Sequence, residues 1–108
     1  MAESSGEGSQ GPVEQISYTS EMGVDHRDFF RLLPRAMGTT PYEVEGTRVN
    51  ARIGQGTLEI VIGPEQIRAI ALFRLPYCEV SFTFRNVSVA EQQAFKTYFD
   101  LRFQRGGG

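Results

Sequence analysis

From Tyr42 to Arg85 apolar and polar residues alternate along much of the chain, broken by three short stretches rich in Gly and Pro. A period of two sends successive side chains to opposite faces of a β-strand, so this pattern predicts a four-strand antiparallel meander. Tyr77 to Arg85 carries it most plainly, with Cys78, Val80, Phe82 and Phe84 on one face and Glu79, Ser81, Thr83 and Arg85 on the other. Reversals are predicted at Gly54-Gln55-Gly56-Thr57, Gly63-Pro64-Glu65-Gln66 and Leu75-Pro76-Tyr77-Cys78. Taken as hairpin loops, they oppose Ile53 to Leu58, Ala51 to Ile60, Ile62 to Ile67, Ile60 to Ala69, Phe73 to Val80 and Ala71 to Phe82. Every pair is apolar, and a slip of one residue would send each of these side chains to the wrong face.

The second face follows by subtraction. It pairs Arg52 with Glu59, Arg74 with Glu79, Val61 with Arg68 and Leu72 with Ser81, and it sets Arg68 opposite Arg85 across neighbouring strands. Val61, Ile70 and Leu72 then form an apolar centre among Arg48, Arg52, Arg68, Arg74 and Arg85, and these residues together are the candidate interaction surface.

Around the meander the pattern changes period. Val13 to Met22 alternates as a first strand, with Ile16, Tyr18 and Met22 on one side. Asp25 followed by Asp28 predicts a helix start, Phe29, Phe30, Leu32, Leu33, Ala36 and Met37 supply its apolar face, and Gly38 is a stop. Pro34 predicts a kink, or a helix ending near Leu33. Tyr42 and Val44 are out of phase with Val49, Ala51 and Ile53, which predicts a bulge or bend at Gly46. Ser88-Val89-Ala90-Glu91 is a capping box opening a second helix, with Ala94, Phe95, Tyr98, Phe99 and Leu101 on its apolar side and Phe103 at the edge. Both helices are predicted to cover one face of the sheet. The reading is a single α+β domain over 13–105, with a disordered tail at 1–12 and a flexible end at 106–108, since Gly, Ser, Glu and Gln leave the tail almost nothing to bury.

The order strand, helix, four strands, helix resembles the TATA-binding-protein-like and helix-grip folds, in which an antiparallel sheet curls around helices carried on one face, often with the first strand beside the last of the meander. The resemblance spans roughly residues 13–103. It is one of element order alone, so no DNA-contacting residues of the TATA-binding protein are carried over.

Composition narrows the functional classes. A chain of 108 residues with 40% hydrophobic and 22% charged content reads as one ordinary globular domain, and a net charge of -2 gives no global pull toward nucleic acid or anionic membrane. One Cys excludes an internal disulfide, and one His with one Cys leaves little material for a zinc site or a Cys/His nucleophile pair. No apolar run approaches a membrane span, and the expected location is cytoplasmic. Gly54-Gln55-Gly56 leads toward a strand, whereas a dinucleotide-binding loop leads into a helix. His26 falls in a first helical turn without a base partner. The expectation is therefore a protein that is not an enzyme and takes no cofactor or metal.

Three functions from different classes fit the pattern. The preferred one is a protein-interaction module that self-associates through the open sheet face, giving a homodimer. A second is a small apolar-ligand binder, with a helix-grip cavity lined by Tyr18, Phe73, Phe82, Phe95 and Phe99. The third is nucleic-acid binding on the Arg-rimmed face, weighed down by the aromatics of the last strand pointing to the core instead of forming a stacking platform.

Overall fold

The computed structural model describes residues 15–107, with side chains to Phe103. The sequence-based tail at 1–12, the first two residues of the expected first strand and Gly108 lie outside the described residues. The elements run β1 (Gln15–Met22), α1 (His26–Met37), β2 (Tyr42–Glu45), β3 (Arg48–Ile53), β4 (Gly56–Ile62), β5 (Gln66–Ile70), β6 (Phe73–Arg85) and α2 (Val89–Gly107). This is an α+β domain of one antiparallel six-stranded sheet and two helices.

The sheet is ordered β1-β6-β4-β3-β2, with β5 also on β6. Leu58, Ile60, Ile62, Cys78, Val80, Phe82 and Phe84 are buried, as the alternation dictates, and join Phe29, Leu33, Met37, Phe95, Phe99 and Phe103 in one cluster. Both helices therefore sit on the same sheet face. No buried residue among those described is polar or charged, so area removed from water, worth roughly 25 cal/mol per Å², is what holds this core. Phe82 meets Phe99 edge-on at 5.3 Å, and Phe99 meets Phe103 at 4.7 Å.

Helix starts follow the local chemistry. Asp25 accepts from the Asp28 amide at 2.8 Å, and the Ser88 hydroxyl accepts from the Glu91 amide at 3.1 Å while Glu91 accepts from the Ser88 amide at 3.3 Å. Two helical expectations are corrected. α1 does not end near Leu33 but continues as helix through Pro34 to Met37, because Leu32, Leu33, Ala36 and Met37 on both sides of the proline are buried and tertiary packing outweighs the one lost hydrogen bond. In α2 the buried stripe is Phe95, Phe99 and Phe103, four residues apart, while Leu101 and Tyr98 stay substantially exposed. The helix runs to Gly107.

The strand count and registers also differ from expectation. The meander has five strands, because Gly46 (φ 62°) turns β2 into β3 outright, with Glu45 opposite Arg48. Between β3 and β4 the turn is Gly54-Gln55, so Ala51 faces Leu58 and Arg52 faces Thr57, two residues from the expected register but with the same faces. Gly63-Pro64-Glu65 does not reverse the chain. Ile62 is opposite Val80, Gly63 still donates to the Glu79 carbonyl at 2.7 Å, and Gln66 is opposite Tyr77. Residues 63–65 of one strand thus oppose 78–79 of the other, which is a β-bulge on a single long β4–β5 path along β6. The reversal lies instead at Ala71-Leu72, and the expected hairpin at Leu75–Cys78 is strand interior.

As a consequence β5 and residues 73–77 of β6 form a two-stranded arm beyond the sheet, and the described chain is elongated, 58 × 26 × 24 Å. β1 ends at Met22 opposite Cys78, short of Pro76, which has no amide hydrogen to offer a further strand.

Candidate interaction arm and open sheet face

The arm inherits its chemistry from the same alternating sequence, but with no helix beneath it. Ile67, Ile70, Phe73 and Leu75 are 57%, 51%, 68% and 46% exposed, and Leu72 at the tip is 97% exposed. Cross-strand pairs share a face, so Ile70 and Phe73, with Leu75 and Tyr77, lie on the side continuous with the open sheet face. His26 pins the arm's base: its Nε2 donates to the Gly63 carbonyl at 2.6 Å, and its backbone amide donates to Glu65 at 3.0 Å. The Arg68 guanidinium stacks over the Tyr77 ring at 4.3 Å and reaches Glu21 on β1 at 2.7 Å, and that carboxylate holds Arg68 more firmly charged than usual.

The residues expected to form one surface are thus divided. Arg48, Arg52, Val61 and Arg85 lie on the open face of the sheet body, whereas Arg68, Ile70, Leu72 and Arg74 belong to the arm. The pairings Val61–Arg68, Leu72–Ser81, Arg74–Glu79, Arg52–Glu59 and Arg68–Arg85 are not present. Val61 faces Arg48 and Ser81, Arg74 faces Ala69, and Glu59 is engaged by Arg48 at 3.1 Å. The body's open face is polar, with Ser17–Thr83 and Thr19–Ser81 hydroxyl pairs at 2.9 and 3.4 Å. Its apolar end is the arm, and Ile67, Phe73 and Leu75, read from the sequence as core, are the arm residues that reading missed. The missed signal is the turn: Ala71-Leu72 contains no Gly, Pro, Asn or Asp.

The aromatics expected around an internal cavity are not assembled as one lining. Phe82, Phe95 and Phe99 are buried among each other, Tyr18 stacks on Phe82 at 4.9 Å, and Phe73 is out on the arm. The surface of the described residues carries a cleft of about 450 Å³ on the open face and another of about 490 Å³ between the end of α1, Ile53 and α2. Among the described residues no three of His, Cys, Asp and Glu gather as a metal-holding group, and no helix is long and apolar enough to cross a membrane. Cys78 is buried, and desolvation, with Glu65 and Asp25 nearby, pushes its thiol up, away from the reactive thiolate.

These features define a small α+β domain with a projecting apolar β-arm. The chain matches no family model, no curated protein and no solved structure.

Proposed function

We propose that this protein is a non-enzymatic interaction module that self-associates, with the arm end of the open sheet face as its contact surface. The observation that carries this reading is the exposure of Ile70, Leu72, Phe73 and Leu75 on a ribbon with no helix or third strand against it among the described residues. A two-stranded ribbon is marginal in water by itself, and apolar patches of this kind favour burial against a partner. The occupant proposed is a second copy of the chain. These side chains offer about 500 Å² of apolar area per copy, so two arms laid reciprocally bury about 1,000 Å², the lower bound of a specific interface. A two-fold contact has the further merit that each arm stabilises the other.

The strand order, with β1 beside β6 and both helices on one face, supports the related proposal of a TATA-binding-protein-like or helix-grip-like arrangement whose last hairpin is drawn out into an arm. The test is mass in solution by light scattering across a concentration series. The expected result is a dimer that Ile70→Glu and Leu72→Glu each convert to a monomer with unchanged circular dichroism. A wild-type chain that stays monomeric at high concentration would sink the proposal. So would a dimer indifferent to both substitutions.

A further inference from the structure

The open-face cleft lies in the sheet body, away from the arm, and its composition is unlike the rest of that face. The registers place Glu43, Asn50 and Glu59 in one row across β2, β3 and β4, and Arg52, Thr57 and Arg85 in the next row across β3, β4 and β6. All of them line the cleft of about 450 Å³, with Pro41 at its edge. Arg52 and Arg85 thus flank a single threonine from either side, their backbones about 10 Å apart, two strand spacings. Both are exposed, and among the described residues neither is ion-paired with a carboxylate. Arg85 spends its Nε on Gln15 at 3.2 Å, which leaves the outer edge of its guanidinium available. Two like charges flanking one hydroxyl repel one another, and an anion between them relieves that.

We infer that this cleft binds a small zwitterion, with its carboxylate or phosphate monoester held by Arg52, Thr57 and Arg85 and its ammonium group directed to Glu43 and Asn50. Two guanidinium forks and a hydroxyl present the directional donors that a planar or tetrahedral oxyanion takes up. The second row lies about 7 Å further along the strands, one pleat repeat away. In it Glu59 is already engaged by Arg48 at 3.1 Å, while Glu43 forms no ion pair among the described residues. The Glu43 carboxylate disfavours a plain polyanion and favours a ligand carrying a positive charge at that distance. The cleft volume falls within the range of small-molecule sites, and its open mouth predicts modest affinity.

The test is a titration of the full chain followed by backbone amide NMR, with δ-aminovalerate and phosphoethanolamine as zwitterionic probes. Acetate and inorganic phosphate serve as anion-only probes and pentylamine as the cation-only probe. Saturable shifts at Asn50, Arg52, Thr57 and Arg85 are expected, with Kd for the zwitterions of about 1 mM or tighter. Arg52→Gln and Arg85→Gln should each weaken binding of every anionic probe about tenfold, and Thr57→Val should weaken it less. Glu43→Gln should weaken the zwitterions alone. These are exposed strand positions, and unchanged amide spectra outside the cleft check that the variants fold. Vesicles containing phosphatidylethanolamine, compared with free phosphoethanolamine, decide between a lipid headgroup and a soluble ligand. Shifts that are absent, scattered, or the same in the Arg variants overturn the site. Equal binding of acetate and δ-aminovalerate, unaffected by Glu43→Gln, overturns the zwitterion. Because the cleft contains no arm residue, either result is independent of self-association.

Discussion

Ala71 occupies the first position of the turn that closes the arm, at φ 55°, a left-handed conformation ordinarily taken by glycine. A Cβ there costs roughly 1–2 kcal/mol, partly offset on replacement by the greater freedom glycine has in the unfolded chain. Ala71→Gly is therefore expected to stabilise the arm by about 0.5–1 kcal/mol, visible as slower hydrogen exchange at the Ile70 and Phe73 amides. A second residue-scale expectation concerns Asp100. Partial desolvation raises its carboxyl above the ordinary 3.8, an effect that Lys96 opposes, and burial, with the Asp100 charge adding to it, pushes the Tyr18 phenol above its usual range. A group whose folded pKa is raised favours the fold while protonated, so its contribution is complete below about pH 3.8 and is lost as pH rises through the folded value. Asp100→Asn should thus raise the melting temperature at neutral pH and leave it unchanged near pH 3. A variant with the opposite pH profile would show that the Lys96 attraction outweighs burial.

At the scale of elements, α1 shows how far packing overrides propensity. Pro34 cannot donate to the Phe30 carbonyl, yet the helix continues, and the Gly38 amide closes it on the Pro34 carbonyl at 3.1 Å. Pro34 itself is exposed, so the pyrrolidine ring contributes nothing to the core that would compensate the missing bond. Pro34→Ala is expected to stabilise the protein by about 1–3 kcal/mol in urea unfolding with an unchanged m value. The strands show the reverse dependence, since their faces were correct wherever a strand packs on the helices, while the divisions between them were not. Gly63-Pro64-Glu65 has the composition of a turn and acts as a bulge, because β6 runs on beyond it and keeps pairing. Leu75-Pro76-Tyr77 has the composition of a turn and is straight strand, because β1 stops opposite Cys78 and leaves that edge of β6 without a strand needing the amide hydrogen that Pro76 lacks, while Pro76 still lies opposite Ile67 of β5.

For the whole molecule the division that matters is between the body and the arm. No buried residue lies between Ile62 and Cys78, so the core is complete without the arm. Replacing Ile67–Pro76 by an Asn-Gly turn that joins Gln66 to Tyr77 should leave helical circular dichroism and cooperative unfolding intact while abolishing self-association. Loss of the fold in that variant would mean that the arm stabilises the body. What the sequence by itself determined is the set of local rules: the period-two faces of the strands around the core, the Asp25 cap, the Ser88–Glu91 capping box and the placement of both helices on one side. These depend on side-chain spacing and on hydrogen bonds a few residues apart. The sequence also singled out Arg52 and Arg85, but it set Glu59 opposite the first and Arg68 opposite the second. Only the tertiary structure decided that β4 and β5 share one partner strand, that the apolar run from Ile67 to Leu75 leaves the body as an arm, and that Arg52 and Arg85 flank Thr57 from either side. A two-residue repeat keeps the same faces under any register shift of two residues. Which apolar partner each strand finds is therefore settled by where the long β6 can extend and where the helices run out.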